Sequence, residues 1–274
     1  MGLLGNTKGR RKPIPFDGDT AVPPENLAAY IQEFRNLLES FGLEYAMYGH
    51  VDVGCLHVRP ALDLKTTKDE EIVRKISDGV CQLVRKYGGV MWVEHGRGFR
   101  TEYTEEHFGS DLYQGLRKIK QVFDPFNQLN PGKIVTPLES KEQTVSVEAP
   151  LRGHRDRQIH PNWQEDFAVT ISCNGNGACF HYDPNHVMCP SSKITRDQIH
   201  SPKGRTGIMR EWLRQSSLAG DPEEAISLGG LAEKFLNSTK NAKEYDYSHE
   251  VFGAMSGCLA CKACAAKCPV HADV

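Results

Sequence analysis

The sequence contains no apolar run long enough to cross a membrane, and its charges almost cancel. No stretch approaches the roughly 20 apolar residues that a transmembrane helix needs. Lys and Arg together number 33 and Asp and Glu 35, which gives a net charge of −2 and argues against a nucleic-acid footprint or a polybasic membrane patch. Residues 1–11 lack the apolar stretch of a signal peptide. We therefore expect a cytoplasmic protein with no membrane span and no nucleic-acid partner.

A second missing pattern is the glycine-rich loop that cradles a nucleotide. The chain has 25 glycines but no G-x-G-x-x-G run. The sequence therefore offers no nucleotide-cradling loop of this type. With 274 residues, of which 39% are hydrophobic, the chain is long enough for one large or two ordinary domains with their own cores.

Cysteine is abundant by contrast, and its spacing is informative. Residues 258–269 read CLACKACAAKCP, the C-x2-C-x2-C-x3-C-P pattern of a bacterial [4Fe–4S] site. A zinc site would more often show two C-x2-C pairs with a longer spacer. Nine cysteines used in this way indicate a reducing compartment rather than disulfides. The run predicts an iron–sulfur cluster.

An upstream cysteine group is incomplete. Its spacing is C-x5-C-x9-C-P, and Asn176 stands where a middle cysteine would be. In two-cluster ferredoxin-type domains the cysteine before proline serves the other cluster. This rule gives one complete set for a single [4Fe–4S] cluster, Cys189, Cys258, Cys261 and Cys264. It leaves an incomplete set for a degenerate second site, Cys173, Cys179 and Cys268. The alternative for Cys173 and Cys179 is that they are buried structural thiols.

Several basic residues follow Cys189, namely Lys193, Arg196, His200, Lys203 and Arg205. They could offset the negative charge of a thiolate-bound cluster, or they could form an ordinary solvated face. The sequence leaves both readings open.

Hydrophobic periodicity divides the chain into two parts. Amphipathic helices are predicted near 24–42, 67–87 and 111–123, with strands at 45–50, 55–59 and 90–93. Further helices are predicted near 204–219, 222–238 and 246–256. The predicted fold is an α+β domain over 1–137, a polar linker over 138–165 and a small all-α iron–sulfur domain over 166–274. Both ends of the chain look abrupt, and we expect a fragment truncated at its C-terminus.

Two histidines and one glutamate form a candidate metal site. His50 and His57 flank a predicted turn that can bring them together on neighbouring strands, and Glu94 ends another short strand. Two imidazoles and one carboxylate make a usual site for a catalytic divalent ion, with positions left open for substrate. Spacing alone favours the simpler alternative, because a single histidine in a strand is more often a packed or solvated side chain.

Three motifs resemble the FAD-linked oxidases of the D-lactate and D-2-hydroxyglutarate dehydrogenase group. Residues 50–57 (HVDVGCLH) resemble that group's G-H-x-G-x-x-x-L-H, although Asp52 replaces a family glycine. Residues 94–98 (EHGRG) resemble its E-H-G-x-G, and residues 123–133 (FDPFNQLNPGK) its closing F-D-P-x-x-x-L-N-P-G-K. The resemblance covers about residues 1–137 and implies the ferredoxin-like antiparallel sheet of a substrate cap domain. Together with the cysteine-rich part, the resemblance suggests that the chain is a piece of a large FAD and iron–sulfur fusion protein. The FAD-binding domain of such proteins is missing from this piece.

The resemblance implies roles for individual residues. A zinc or manganese ion on His50, His57 and Glu94 would bind a D-2-hydroxy acid, and His95 would be the general base. Hydride would pass to FAD, which is bound mainly by a domain supplied in cis or in trans, and electrons would continue through the cluster to an unidentified acceptor. The implied substrate-binding residues are Arg10, Arg11 and Arg59, and the implied flavin contacts are Asn130 and Lys133. The alternative for the arginines is a basic surface strip, such as residues 8–12 form.

Two other functions remain as alternatives. A ferredoxin-like electron-transfer subunit that docks a separate flavoprotein would bind the cluster but would give His50, His57 and Glu94 no role. A zinc-stabilised interaction module would have no redox chemistry and no colour. The cysteine run disfavours the second alternative, and the three motifs disfavour the first. We therefore predict part of a D-2-hydroxy-acid dehydrogenase, with D-2-hydroxyglutarate favoured over D-lactate, that is inactive without its FAD-binding domain.

Overall fold

The protein consists of two compact units. The computed structural model describes residues 9–96, 98–219 and 247–274. One unit holds the described residues up to Leu151, and the other holds those from Arg152 onward. The division falls inside the predicted linker, 138–165. Within the described residues, no helix is long and apolar enough to span a membrane.

Strand β4 is the centre of the N-terminal sheet. Strands β1 (Lys12–Pro13), β2 (Thr20–Ala21), β3 (Tyr45–His50) and β4 (Cys55–Leu62) form a four-stranded antiparallel arrangement. Each of the first three pairs with β4, because Lys12 faces Leu62, Thr20 faces Leu56 and Tyr48 faces His57. This confirms the predicted α+β class with a small antiparallel sheet.

Two amphipathic helices pack with β4 into one hydrophobic core. They are α1 (Leu27–Ser40), which follows a short 3-10 turn at Pro24–Asn26, and α2 (Thr67–Lys86). Helix α2 begins where the Thr66 side chain accepts a hydrogen bond from the backbone N–H of Asp69. The buried side chains recur every three or four residues along each helix, as the helical period requires. They include Tyr30, Phe34 and Leu38 of α1, Ile76, Val80 and Val84 of α2, and Leu56, Val58 and Leu62 of β4.

The strand predicted at 90–93 is wrong. Only Val90 forms a bridge, to Ala21, and the residues after it form a loop. The backbone N–H groups of residues 93–95 donate to the side chain of Asp19 instead of to a neighbouring strand. Because a carboxylate satisfies these donors, the segment needs no strand partner.

Helices α3 (Thr104–Phe108) and α4 (Ser110–Phe123) follow a 3-10 segment at Gly98–Tyr103. Helix α4 confirms the helix predicted near 111–123. None of its described side chains is fully buried, however, and Leu112, Ile119 and Phe123 are largely exposed. The spacing of the apolar residues thus predicted the helix correctly, but these residues do not face a hydrophobic core.

The described part of the C-terminal unit contains helices and no strand. These are α5 (Arg152–Asp156), α6 (Pro161–Asp166), α7 (Ala168–Ile171), α8 (Pro190–Thr195), α9 (Pro202–Ala219), α10 (Ser248–Ser256) and α11 (Ala263–Lys267). A 3-10 turn, Gln198–His200, precedes α9. Helices α9 and α10 confirm the helices predicted near 204–219 and 246–256, whereas the one near 222–238 lies outside the described residues. Helix α5 lies within the predicted linker, which is therefore partly helical.

Gly54 closes the turn between β3 and β4. The turn is a 3-10 segment, Val51–Val53, and Gly54 follows it in the left-handed region with φ of 69°. A Cβ atom on Gly54 would lie 1.9 Å from the carbonyl oxygen of Val22. Both the backbone conformation and the close approach therefore require glycine at this position.

We expect Gly54→Ala to lower the free energy of unfolding by about 2–4 kcal/mol, because left-handed strain and overpacking add. The matched control is Gly115→Ala in helix α4, where a Cβ would meet nothing within 4 Å. That substitution should raise stability by about 0.5–1 kcal/mol, because alanine is the better helix former. Thermal unfolding followed by circular dichroism measures both variants. Equal midpoints for the two variants would contradict the role assigned to Gly54.

Candidate functional site

The β3–β4 hairpin places a group of polar side chains on one face. Because side chains alternate along a strand, Cys55 and His57 share a face of β4, and their cross-strand partners His50 and Tyr48 share it on β3. Leu56, which lies between Cys55 and His57, and Val58, which follows His57, are buried in the hydrophobic core. The same strand thus supplies both the core and the site.

Glu94 reaches this face from the loop after Val90. Its Oε1 atom lies 3.2 Å from Nε2 of His50, and its Oε2 atom lies 3.2 Å from Nε2 of His57. The centroids of the two imidazole rings are 5.6 Å apart. The structure therefore brings together the three residues predicted to bind a metal ion.

These distances fit a divalent ion. Bonds of about 2.0–2.2 Å from a metal to nitrogen and oxygen place neighbouring ligand atoms about 3.0–3.5 Å apart. Hydrogen bonds from the imidazoles to the carboxylate would give nearly the same separations, so metal binding itself stays a prediction. His57 is buried, whereas the side chains of His50 and Glu94 are 54% and 41% exposed. The group is thus open on one side, where a substrate could bind.

Asp19 holds the loop that carries Glu94. The carboxylate of Asp19, which is only 2% exposed, accepts hydrogen bonds from the backbone N–H groups of Val93, Glu94 and His95 at 3.0, 2.8 and 2.9 Å. Ligand atoms of Asp19, Cys55, His57 and Glu94 all lie within 4.8 Å of one another. Sequence reasoning missed Asp19, because nothing in its spacing relates it to residues 93–95. Since three N–H groups already occupy its oxygens, its role here is to position Glu94.

Cys55 also lies in this group. Its Sγ atom is 3.8 Å from Nε2 of His57. Burial, and then the nearby carboxylates of Glu94 and Asp19, raise the pKa of the Cys55 thiol. A thiol kept protonated is a poor metal ligand.

His95 lines the open side of the group. Its side chain is 60% exposed, and its Nε2 atom lies 3.9 Å from Oε2 of Glu94. The ring centroids of His95 and His57 are 5.4 Å apart. His95 could therefore reach a molecule bound at Glu94, and its role as general base stays a prediction.

The three predicted substrate-binding arginines lie in different surroundings. Arg59 donates a hydrogen bond at 3.1 Å to the hydroxyl of Tyr48, whose ring centroid lies 5.2 Å from that of His57. Arg11 donates two hydrogen bonds of 3.1 Å to Asp69, and Arg10 donates one of 2.9 Å to Asp63. Arg10 and Arg11 thus already have carboxylate partners in the protein. Their substrate-binding roles stay predictions, and only Arg59 shares the hairpin with the histidines.

Asn130 and Lys133 lie in the loop after α4. The carboxylate of Asp124 accepts hydrogen bonds from the backbone N–H groups of Gln128 and Leu129 at 2.8 and 2.9 Å. The backbone N–H of Lys133 donates to the carbonyl of Asn130 at 3.1 Å, so the two residues occupy one tight turn. Their contact with a flavin stays a prediction.

In the C-terminal unit, seven cysteines line two adjoining cavities. The first cavity is lined by Cys189, Cys258, Cys261 and Cys264, and the second by Cys173, Cys179 and Cys268. Met188 and Pro202 line both cavities, so the two are neighbours. The structure therefore groups the cysteines into the two sets expected when the cysteine before each proline serves the other set.

A buried arginine lies against the four-cysteine cavity. Arg205 is 2% exposed; its Nη1 atom lies 3.6 Å from Sγ of Cys189, and its Nη2 atom donates to Ser191 Oγ at 2.8 Å. Burial by itself raises the pKa of the Cys189 thiol, but hydrogen bonds from Ser191, from the backbone of Ser192 and from Arg205 outweigh it and lower the pKa. Of the five basic residues after Cys189, Arg205 is thus placed to offset thiolate charge at this cavity.

Sequence comparison assigns the N-terminal part of the chain. Residues 1–134 match the family described as FAD linked oxidases, C-terminal domain. They belong to that family. The match confirms the family predicted from the three motifs, and it includes every residue of the His50, His57 and Glu94 group.

Longer proteins match this chain over all or about half of its length. The whole chain is 53% identical to a protein of Pantoea ananatis and 52% identical to one of Escherichia coli, both named D-2-hydroxyglutarate dehydrogenase. The chain covers 28% of the length of each. Over 48% of its length it is 34% identical to a protein of Archaeoglobus fulgidus named D-lactate dehydrogenase, of which it covers 29%.

Replacing Asp19 by asparagine should loosen the Glu94 loop of the oxidase C-terminal domain. Both carboxylate oxygens accept backbone N–H groups, so the new amide NH2 would face a donor. Asn tolerates the left-handed φ of 79° at this position, so the backbone of residue 19 need not change. We expect hydrogen exchange at the amides of residues 93–95 to become at least about tenfold faster.

The control for this exchange measurement is Asp52→Asn, which changes an exposed carboxylate in the turn before Gly54. It should leave exchange at residues 93–95 unchanged. If Asp19→Asn gave the same protection as the parent protein, the loop would be held by other contacts.

Proposed function

We propose that the chain is part of a flavin- and iron–sulfur-dependent dehydrogenase that oxidises a D-2-hydroxy acid to the 2-oxo acid. The convergence of His50, His57 and Glu94 on one open face carries this proposal. The family of residues 1–134 supports FAD as the cofactor. The names of the relatives support D-2-hydroxyglutarate as the first candidate substrate and D-lactate as the second.

The site would hold a divalent ion and a hydroxy acid together. Zinc or manganese on His50, His57 and Glu94 would supply Lewis-acid polarisation of the substrate hydroxyl. The protein prepares this site in two ways. Pairing of β3 with β4 fixes the two imidazoles, and Asp19 fixes the backbone at Glu94. Three protein ligands leave coordination positions for the hydroxyl and carboxylate of the substrate.

Proton removal would fall to His95. A neutral imidazole has one nitrogen that can accept a proton near neutral pH, and the ring of His95 lies on the open side of the group. A substrate carboxylate would be held by Arg59, whose planar guanidinium suits bidentate binding. Arg10 and Arg11 could take the same role only by exchanging Asp63 and Asp69 for the substrate.

Electrons would leave through the C-terminal unit. Bound FAD supplies the hydride acceptor, and most of its binding surface would come from a domain outside these 274 residues, in cis or in trans. Asn130 and Lys133 would contribute at the edge of the flavin. One [4Fe–4S] cluster would be bound by the four cysteines that line the first cavity, next to the charge of Arg205. An all-α iron–sulfur domain with reduced thiols fits a cytoplasmic protein, and the electron acceptor would be a separate partner.

A second candidate function is an electron-transfer module that docks a separate flavoprotein. The first cysteine cavity favours it, because its four thiols all come from this chain. This function needs the cluster but does not need His50, His57 or Glu94. Manganese binding therefore separates the two candidates.

We expect His57→Ala and Glu94→Gln each to weaken Mn2+ binding by at least about 100-fold, because each removes one of three ligands. Manganese is the suitable probe, since a hard ion avoids the thiol cavities. Electron paramagnetic resonance of free Mn2+ gives the affinity. D-2-hydroxyglutarate should tighten Mn2+ binding to the parent protein, because the two ligands would share one site.

The control is His154→Ala, which removes an exposed histidine of the C-terminal unit and should leave the Mn2+ affinity unchanged. Equal Mn2+ affinities for the parent protein, H57A and E94Q would contradict the proposed metal site and favour the electron-transfer module. A metal site that D-2-hydroxyglutarate does not tighten would contradict the proposed substrate.

For the first cavity, Cys261→Ser should lower the iron content of anaerobically prepared protein by about four atoms per chain. The visible absorbance that dithionite bleaches should fall with it. Cys81→Ser in helix α2 is the control, because Cys81 is a buried thiol of the N-terminal unit. A colourless protein that contains zinc would contradict the redox function and indicate a zinc-stabilised module.

A further inference from the structure

Among the described residues, the second cysteine cavity is lined by three thiols and by no fourth ligand. Cys173, Cys179 and Cys268 line it, and they come from two separate parts of the sequence. In the described part of the chain, the other residues lining this cavity carry no thiol, imidazole or carboxylate. A bound metal centre would therefore have three protein thiolates.

Asn176 stands where a fourth cysteine would be, but its side chain is engaged within its own loop. Its Nδ2 atom donates to Oδ1 of Asn174 at 2.7 Å, and its Oδ1 atom accepts from the backbone N–H of Ala178 at 2.9 Å. Both ends of the carboxamide thus have partners. Asn176 lines the cavity without offering it a ligand.

The three thiols are held in place by contacts around them. Arg210, which pairs with the buried carboxylate of Asp156, donates a hydrogen bond of 3.1 Å to the carbonyl of Cys173. Thr170 Oγ1 donates to the carbonyl of Asp273 at 2.8 Å, which ties the segment after Cys268 to helix α7. These bonds hold the two parts of the sequence on either side of one cavity.

We propose that this cavity binds a [3Fe–4S] cluster. Each iron of a cuboidal cluster needs one ligand from the protein, so three thiolates serve three irons and leave the fourth corner without a donor. Soft thiolates select iron–sulfur clusters, whereas structural zinc would need a fourth ligand. Lys203, which lines the cavity, would offset the cluster's negative charge, as Arg205 would at the first cavity.

The simpler alternative is that the three cysteines are packed as small hydrophobic side chains. Cys173 and Cys179 are indeed each only 8% exposed. The cavity between them, however, is lined in part by the polar residues Asn176 and Lys203. In two-cluster domains, the cysteine before each proline binds the other motif's cluster. The cysteines of this cavity are the three that this rule assigns to a second cluster once Cys189 is assigned to the first. The proposal rests on the iron–sulfur function proposed for this unit, and its test separates the two cavities.

The test is electron paramagnetic resonance and iron analysis of the full chain, reconstituted anaerobically with iron and sulfide. An oxidised [3Fe–4S] cluster is paramagnetic, whereas a [4Fe–4S] cluster becomes paramagnetic only when reduced by dithionite. We expect about seven irons per chain, a signal from the oxidised protein and a second signal after reduction. Cys268→Ser should abolish the signal of the oxidised protein and lower the iron content by about three atoms per chain. Cys261→Ser should abolish the signal that appears after reduction and lower the iron content by about four.

Asn176→Cys provides the gain-of-ligand variant. Asn176 is exposed, so the substitution should not disturb folding. A fourth thiolate should abolish the signal of the oxidised protein, raise the iron content to about eight and add to the signal of the reduced protein. This result would support the proposal without relying on any loss of structure.

Three outcomes would overturn the proposal. One is an oxidised protein with no signal, whether it holds about four irons or about eight. Another is a signal that survives Cys268→Ser, because it would then come from an oxidatively damaged cluster in the first cavity. The third is zinc bound in place of iron at the second cavity. A signal from the oxidised protein without any signal after reduction would instead contradict the [4Fe–4S] cluster and leave the second cavity's assignment standing.

Discussion

The N-terminal unit depends on strand β4, which pairs with every other strand of its sheet. Its alternating side chains serve two purposes, because Val58 and Leu62 enter the core with α1 and α2 while His57 faces the polar group. Burial of the apolar side chains, each contributing about 1.5–3 kcal/mol, therefore also holds the histidine. The same eight residues thus contribute both to stability and to site geometry.

The hairpin could be predicted from the sequence, because strand alternation and turn residues are local signals. The partner of the Glu94 loop could not, since Asp19 lies 75 positions from Glu94 and shows no metal-ligand spacing. The same contact explains why the strand expected at 90–93 is wrong. Val90, Trp92 and Val93 have high strand propensity, but a buried side-chain carboxylate takes the hydrogen bonds that a neighbouring strand would have made.

In the C-terminal unit the spacing of the cysteines predicted two sets, and the same two sets line the two cavities; their binding of a cluster stays a prediction. The role of Arg205 could not be separated from that of the other basic residues. It depends on the packing of helix α9, which buries the Arg205 guanidinium against Ala254 and Ser191. In each unit a buried charged side chain thus supports one of the candidate ligands: Asp19 holds the backbone at Glu94, and Arg205 contacts Cys189.

The turn between β3 and β4 limits how this region can change in evolution. Asp52 stands where the motif has glycine, yet the hairpin is intact, because the left-handed conformation belongs to Gly54 and residue 52 is exposed. Substitutions at the tip of the turn should therefore accumulate freely. A single insertion or deletion should not survive, since it would shift the register by one residue and exchange the faces of β4. It would bring His57 into the core and Val58 to the surface, so lineages are expected to conserve the length of the turn more strictly than its residues.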